Sequence, residues 1–176
     1  ALVMPVVEQL KSELSGIRLK IDDRTEVTPG FKFNDWEMRG VPLRIEVGPK
    51  DVEKGTFAMA RRDIPGREGK SFVPQAGAAN TVGDMLELIQ TGIYQKALKF
   101  RQDHIFDPKT YSDMQDALKD GWVHAWWCGN ADCEAKVKED TKATTRNIPL
   151  NQNDGSGSCI VCGKPASEKV YFARAY

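Results

Sequence analysis

The stretch that decides the fold runs from Thr28 to Asp63: T-P-G-F-K-F-N-D-W-E-M-R-G-V-P-L-R-I-E-V-G-P-K-D-V-E-K-G-T-F-A-M-A-R-R-D. Thr28 suits a helix cap, and Pro29 suits the first helical position, where its missing N–H costs nothing. Phe33 and Trp36 stand three apart and share a helix face that can turn inward. Gly40 stops the helix. From Pro42 to Val47 the period changes to two: Leu43, Ile45 and Val47 point one way, Arg44 and Glu46 the other. Gly48-Pro49 and Lys54-Gly55 bracket a turn. Thr56 to Arg62 is a second strand, antiparallel to the first because the connection is short.

The residues before this stretch repeat its logic. Ala1 to Pro5 reads as the end of a strand. Val7, Leu10 and Leu14 keep helical spacing, with Gly16 placed to close that helix in the left-handed conformation. Ile17, Leu19 and Ile21 then alternate with Arg18 and Lys20, predicting a strand that ends at Asp22, Asp23 and Arg24. Helix and strand in alternation make an α/β domain with a parallel or mixed sheet. After the stretch, Ile64 to Lys70 is a loop or flexible hairpin tip. Gln75 to Asn80 lacks the residue order of a phosphate loop. Thr81 and Asp84 cap a long helix reaching about Phe100, with Met85, Leu86, Ile89, Ile93, Ala97 and Phe100 as a core stripe. Lys96, Lys99 and Arg101 suit its C-terminal dipole. Thr110 and Asp113 open a shorter helix that Gly121 ends. His104 has no nucleophile or carboxylate set around it and reads as a cap or a packing residue. A domain limit is expected between Ile105 and Lys109, giving domains 1–105 and 106–176.

The 176 residues suffice for one domain with a smaller second unit. Hydrophobic residues make up 40% and charged residues 28%, and no apolar run approaches the roughly 20 residues of a membrane span. No secretory signal is visible. Basic and acidic residues balance at 25 each, so any nucleic-acid contact must come from local arrangement and not from bulk charge.

The polar row of the Pro42 strand is the first place to look for such an arrangement. An arginine fork matches a guanine edge, a carboxylate accepts from base amino groups, and Lys32, Lys50, Arg61 and Arg62 can reach phosphates. The same Arg/Glu alternation also serves a solvated sheet face. Spacing alone does not separate the two readings.

All four cysteines fall in two short clusters, Cys128-Gly-Asn-Ala-Asp-Cys133 and Cys159-Ile-Val-Cys162-Gly163. Two tight turns can bring four sulfurs tetrahedrally around one Zn²⁺. Gly129 and Gly163 free the turns to aim N–H groups at sulfur. Four thiolates leave no open coordination position, so such a metal is structural and supports a small unit. Disulfide, iron–sulfur and redox-thiol readings are the competitors. Gly121–Trp127 and Val170–Arg174 read as flanking strands, and His124 as a sheet-face residue. Glu134–Lys142 reads as a charged helix, Arg146–Leu150 as an extended piece, and Asn151–Ser158 as a mobile polar spacer.

The run G-F-K-F-x-D-W-E-x-R-G-V-P-L-R-x-E-x-G-P-K-D, Gly30 to Asp51, resembles the anticodon-binding domain of archaeal- and eukaryotic-type prolyl-tRNA synthetases. The likeness continues through A-R-R-D at Ala60–Asp63, W-C-G, R-x-I-P, C-x-x-C-G-K and the terminal F-A-R-A-Y. It implies a class IIa-type α/β anticodon-binding domain, a mixed sheet flanked by helices, followed by a small α+β zinc-binding domain. It further implies proline tRNA as partner, with Lys32, Glu37, Arg44 and Glu46 reading bases and Lys50, Arg61 and Arg62 holding phosphates. Structural zinc on Cys128, Cys133, Cys159 and Cys162 follows, as does a cytoplasmic, homodimeric parent enzyme that uses ATP in a catalytic domain. That domain is expected to contact the C-terminal portion near Tyr176. The class II catalytic sheet is missing from these residues, so the chain is expected to be a piece of a longer protein and not to aminoacylate alone. A free-standing zinc-stabilised protein-interaction module is the rival reading.

Overall fold

The computed structural model describes residues 2–152 and 155–175. They divide into two compact units, Ala1–Gln95 and Lys96–Tyr176. In the first unit, the Val7, Leu10 and Leu14 spacing builds helix α1, Val3–Glu13, whose Leu10 is buried together with Leu14 just beyond it. Val3 to Pro5 therefore form a helical turn and not the end of a strand. The helix closes at Leu14 (φ −90°), and Gly16 does not take the left-handed conformation expected of it.

Thr28 acts as foreseen. Its Oγ1 accepts from the Phe31 N–H at 3.4 Å, and Pro29 leads helix α2, Pro29–Met38. Strand β1, Leu43–Glu46, follows. The expected turn after it is a short helix, α3, Pro49–Lys54, closed by Gly55 in the left-handed conformation at φ 62°. Strand β2, Thr56–Arg61, runs antiparallel to β1 with Arg44 opposite Ala60 and Glu46 opposite Ala58. A strand the sequence did not announce, β3, Lys70–Pro74, pairs with the far side of β2, setting Phe72 opposite Ala58 and Lys70 opposite Ala60. Phe57 and Met59 face inward onto Leu10, Leu14, Ala78 and Val82, with Leu43 and Ile45 beside them.

Two further expectations fail in this unit for physical reasons. The Ile17–Ile21 alternation is present, yet those residues pair with no strand among the described residues. A cavity of about 1000 Å³ is lined by Leu19 and Ile21 of this run together with Leu10, Leu14, Leu43 and Ile45 among others. The sheet is accordingly antiparallel throughout, in the order β1-β2-β3. The long helix, α4, Ala78–Asp103, starts ahead of Thr81 and runs past Phe100. Its apolar stripe is core only in its first half: Val82 and Ile89 are buried, whereas Ile93 is 46% and Phe100 64% exposed.

The second unit contains β4 (Ile105–Phe106), α5 (Tyr111–Asp120), β5 (Trp122–Trp127), α6 (Ala131–Thr141), β6 (Ala143–Asn147), β7 (Gly157–Ser158), β8 (Pro165–Ala166) and β9 (Glu168–Arg174). Thr110 caps α5 by accepting from the Asp113 N–H at 3.1 Å. Strands β4-β5-β9-β6 form one sheet, parallel only between β4 and β5, and β7 with β8 forms a small ribbon. Met114 and Leu118 of α5 and Val137 of α6 close over Val123, Val170 and Phe172. In the polar spacer, Gln152 is tied to the Lys169 backbone by two hydrogen bonds of 2.8 Å. Asn153, Asp154 and the terminal Tyr176 lie outside the described residues, and with them the expectations for the centre of that spacer and for the C-terminus. No helix among the described residues is long and apolar enough to cross a membrane.

A candidate nucleic-acid interface and a candidate metal centre

Strand alternation puts Arg44 and Glu46 on the solvent side of the β1-β2-β3 sheet, and helix α2 brings Glu37 beside them. Arg44 donates through Nη1 to Glu37 Oε1 at 2.6 Å and through Nε to Glu46 Oε1 at 3.0 Å. Its guanidinium lies 3.9 Å from the Phe33 ring centroid. Lys70 reaches across the central strand to Glu46 Oε2 at 2.7 Å, and Arg62 Nε donates to the Glu37 carbonyl at 3.0 Å. Burial pushes the Glu46 carboxyl up, but Lys70 and Arg44 together outweigh it and hold the group below its ordinary value, so it stays a carboxylate acceptor.

The structure thus gathers Glu37, Arg44, Glu46 and Arg62, and adds Lys70 and Phe33. Phe33 and Trp36 do not turn into the core. Phe33 supports Arg44, while Trp36 donates to Asp22 Oδ2 at 2.7 Å and carries the Arg39 guanidinium over its ring. Lys32 stands apart, donating to the Asp22 carbonyl at 3.3 Å. Asp22 is held far below the usual carboxylate range, first by Arg24, against the opposing effect of burial. Arg61 pairs across the ladder with Leu43, so it faces away from Arg44, and its Nε and Nη2 donate to Asp63 at 3.0 and 2.7 Å. Lys50 is exposed on the first turn of α3. Lys70 went unread because it lies inside a loop-like run, and Phe33 because its spacing is that of a core residue.

In the second unit the four cysteine sulfurs lie within 4.8 Å of one another. Cys128 follows β5, Cys133 lies in the first turn of α6 behind its Asn130 cap, and Cys159 and Cys162 lie in the turn between β7 and β8. Cys128 Sγ is 3.7 Å from both Cys133 Sγ and Cys162 Sγ. A tetrahedron with metal–sulfur bonds of about 2.3 Å has edges of about 3.8 Å, whereas a disulfide needs about 2.05 Å. The donor set therefore fits a four-thiolate metal and no disulfide. Gly129 and Gly163, at φ 76° and 72°, supply the left-handed turns. Burial pushes the Cys159 thiol up, but the backbone N–H groups of Cys162, Val161 and Cys128 prevail and bring it down to about 7, favouring thiolate. Cys133 is raised, mainly by burial and then by its neighbouring thiols. Trp126 and Trp127 pack against the cluster. Trp126 also lies so close to Gly157 that no side chain could stand there.

Residues 1–71 match the family described as anticodon binding domain, and residues 111–176 match that described as prolyl-tRNA synthetase, C-terminal. The chain belongs to the prolyl-tRNA synthetase family. A proline--tRNA ligase of Roseiflexus sp. (strain RS-1) is 49% identical over all of this chain, which covers 37% of that protein. A proline--tRNA ligase of Chloroflexus aurantiacus is 48% identical over the same share of each. A crystal structure of prolyl-tRNA synthetase from Cryptosporidium parvum complexed with L-proline and AMP superposes with a TM-score of 0.86 at 32% identity. The match covers 98% of this chain and 37% of that one. The chain thus spans rather more than a third of the length of the relatives it resembles.

Proposed function

We propose that the first unit binds the anticodon of proline tRNA and distinguishes its guanines through Glu37, Arg44 and Glu46, with Lys50 and Arg62 against phosphates. The observation that carries this reading is the Glu37–Arg44–Glu46–Lys70 cluster on the solvent face of the sheet of an anticodon-binding domain. An arginine fork held at two carboxylates presents donors and acceptors side by side, which is what an unstacked guanine needs. Lys32 and Arg61, each already engaged by an aspartate region elsewhere, act in this reading as positioning residues for α2 and the β2 end.

The sulfurs hold Zn²⁺, which supplies folding free energy and no reaction step, since four thiolates close its coordination. Functionally the chain comprises an anticodon-binding domain, 1–105, and a zinc-binding domain, 106–176. It serves a longer, cytoplasmic, homodimeric parent whose catalytic domain ligates proline to tRNA with ATP. Titration of the 176-residue chain with proline tRNA and with anticodon-substituted tRNA, at fixed salt, tests the central reading. Specific recognition gives a loss of about 1 to 3 kcal/mol per altered guanine. Affinity blind to the anticodon refutes it and favours a protein-interaction module.

A further inference from the structure

We propose that Cys162 is an oxidation site and that, with Cys128, it makes the sulfur cluster a redox-sensitive clasp that opens to hydrogen peroxide. The inference rests on the zinc reading and adds an order among the four ligands. Cys133 and Cys159 are only 7% and 3% exposed, Cys128 is half-buried, and Cys162 is open to solvent. The backbone N–H groups of Cys162, Val161 and Cys128 also converge on the Cys159 sulfur and draw on its electron density, so that thiolate is shielded twice over. A thiolate is the species an oxidant attacks, and susceptibility follows access. Cys162 is therefore attacked first.

The step balances on two sulfurs and the oxidant. The Cys162 thiolate attacks the peroxide O–O bond, keeps one oxygen as a sulfenic acid and releases hydroxide. The Cys128 thiolate, 3.7 Å away, then attacks that sulfur, forms the S–S bond and expels a second hydroxide. The two sulfurs lose two electrons and the peroxide gains them. Closing from 3.7 Å to the roughly 2.05 Å of a disulfide requires the backbone to move. Each outer cysteine is followed by a glycine suited to that movement: Gly129 and Gly163 have φ 76° and 72°, with nothing within 4 Å of where a Cβ would stand. Cys133 lacks this freedom, since it sits in the first turn of α6 with its N–H bonded to the Asn130 carbonyl at 3.2 Å. Oxidation thus selects Cys128–Cys162, although Cys133 Sγ lies equally near Cys128. Two of the four thiolates are then lost to a metal, and Cys133 loses the anchor at the start of α6. The new bond keeps the end of β5 tied to the β7–β8 turn, so α6 loosens while the sheet persists.

The test treats the zinc-loaded 176-residue chain with hydrogen peroxide. Zinc release is followed with a chromogenic chelator, the environment of Trp126 and Trp127 by fluorescence, and each thiol by alkylation and peptide mass mapping. The expected result is a Cys128–Cys162 disulfide formed in step with full loss of zinc, Cys133 and Cys159 remaining alkylatable, and reversal by a dithiol reductant with added zinc. Cys162→His keeps a fourth ligand without a thiol, so it should hold zinc and release it to peroxide about tenfold more slowly than the wild type. If that variant does not load, the disulfide map of the wild-type chain decides alone. Equal release rates from a loaded Cys162→His, or a first disulfide that includes Cys133 or Cys159, overturn the proposal and leave the zinc site standing. A chain that takes up no zinc refutes both.

Discussion

Arg44 is the residue on which the proposed interface turns, because three of its neighbours, Glu37, Glu46 and Phe33, are arranged around its guanidinium. Replacing it with alanine is expected to erase discrimination among anticodon bases, about 1 to 3 kcal/mol per position, measured by competition between wild-type and substituted tRNA. Arg62→Ala should instead weaken binding evenly across sequences and shrink the slope of log affinity against log salt by about one. Glu46 also links this surface to stability. Its folded pKa lies below the ordinary 4.5, so its contribution is full above that value and is lost as pH falls through the folded one. Thermal melts across the acid range should show a shallower loss for Glu46→Gln than for the wild type. The shared outward face of Arg44 and Glu46 was legible from strand alternation. Lys70 and Phe72 were not, since the short run K-S-F-V-P turns its aromatic outward and ends in proline.

The β2–β3 hairpin delivers Arg62, Lys70 and Phe72 together, so its geometry matters more than its length suggests. Its turn is closed by Gly69, whose carbonyl accepts from the Arg61 N–H at 2.9 Å and whose Cα faces the Ile64 backbone with no room for a methyl group. Gly69→Ala is expected to cost about 1 to 3 kcal/mol in urea denaturation and to weaken tRNA binding with it, because backbone must shift to admit the Cβ. Elements whose signals are local were readable: the Thr28 and Thr110 caps, the β1–β2 pair and the α1 stripe. Elements whose fate depends on a distant partner were not. Ile17–Ile21 has the alternation of a strand but faces a cavity instead of a ladder, and the second half of the α4 stripe has the spacing of a core without the cover.

At the scale of the whole molecule, the two units rest on different means of support. The first holds an apolar core built on Phe57, Met59, Leu10 and Leu14, and the second adds a sulfur cluster to its core of Val123, Val137, Val170 and Phe172. Treatment of metal-loaded protein with a strong chelator should unfold the second unit first. Trp126 and Trp127, packed on the sulfurs, would report this as a change in fluorescence, while the melting of the first unit should stay in place. Cys159→Ser should reproduce the change without chelator. The cysteine cluster was the most legible feature of the sequence, because pairs of cysteines in tight turns leave few alternatives in space.

The charged groups above the sheet already answer one another: Arg44 has its carboxylates, Glu46 its ammonium, and Arg62 a carbonyl. Such a surface offers little to a passing polyanion, since any newcomer must first part companions that are content together. On the anticodon reading, only a ligand able to replace the severed bonds gains by staying, so RNA at large should compete poorly for this surface.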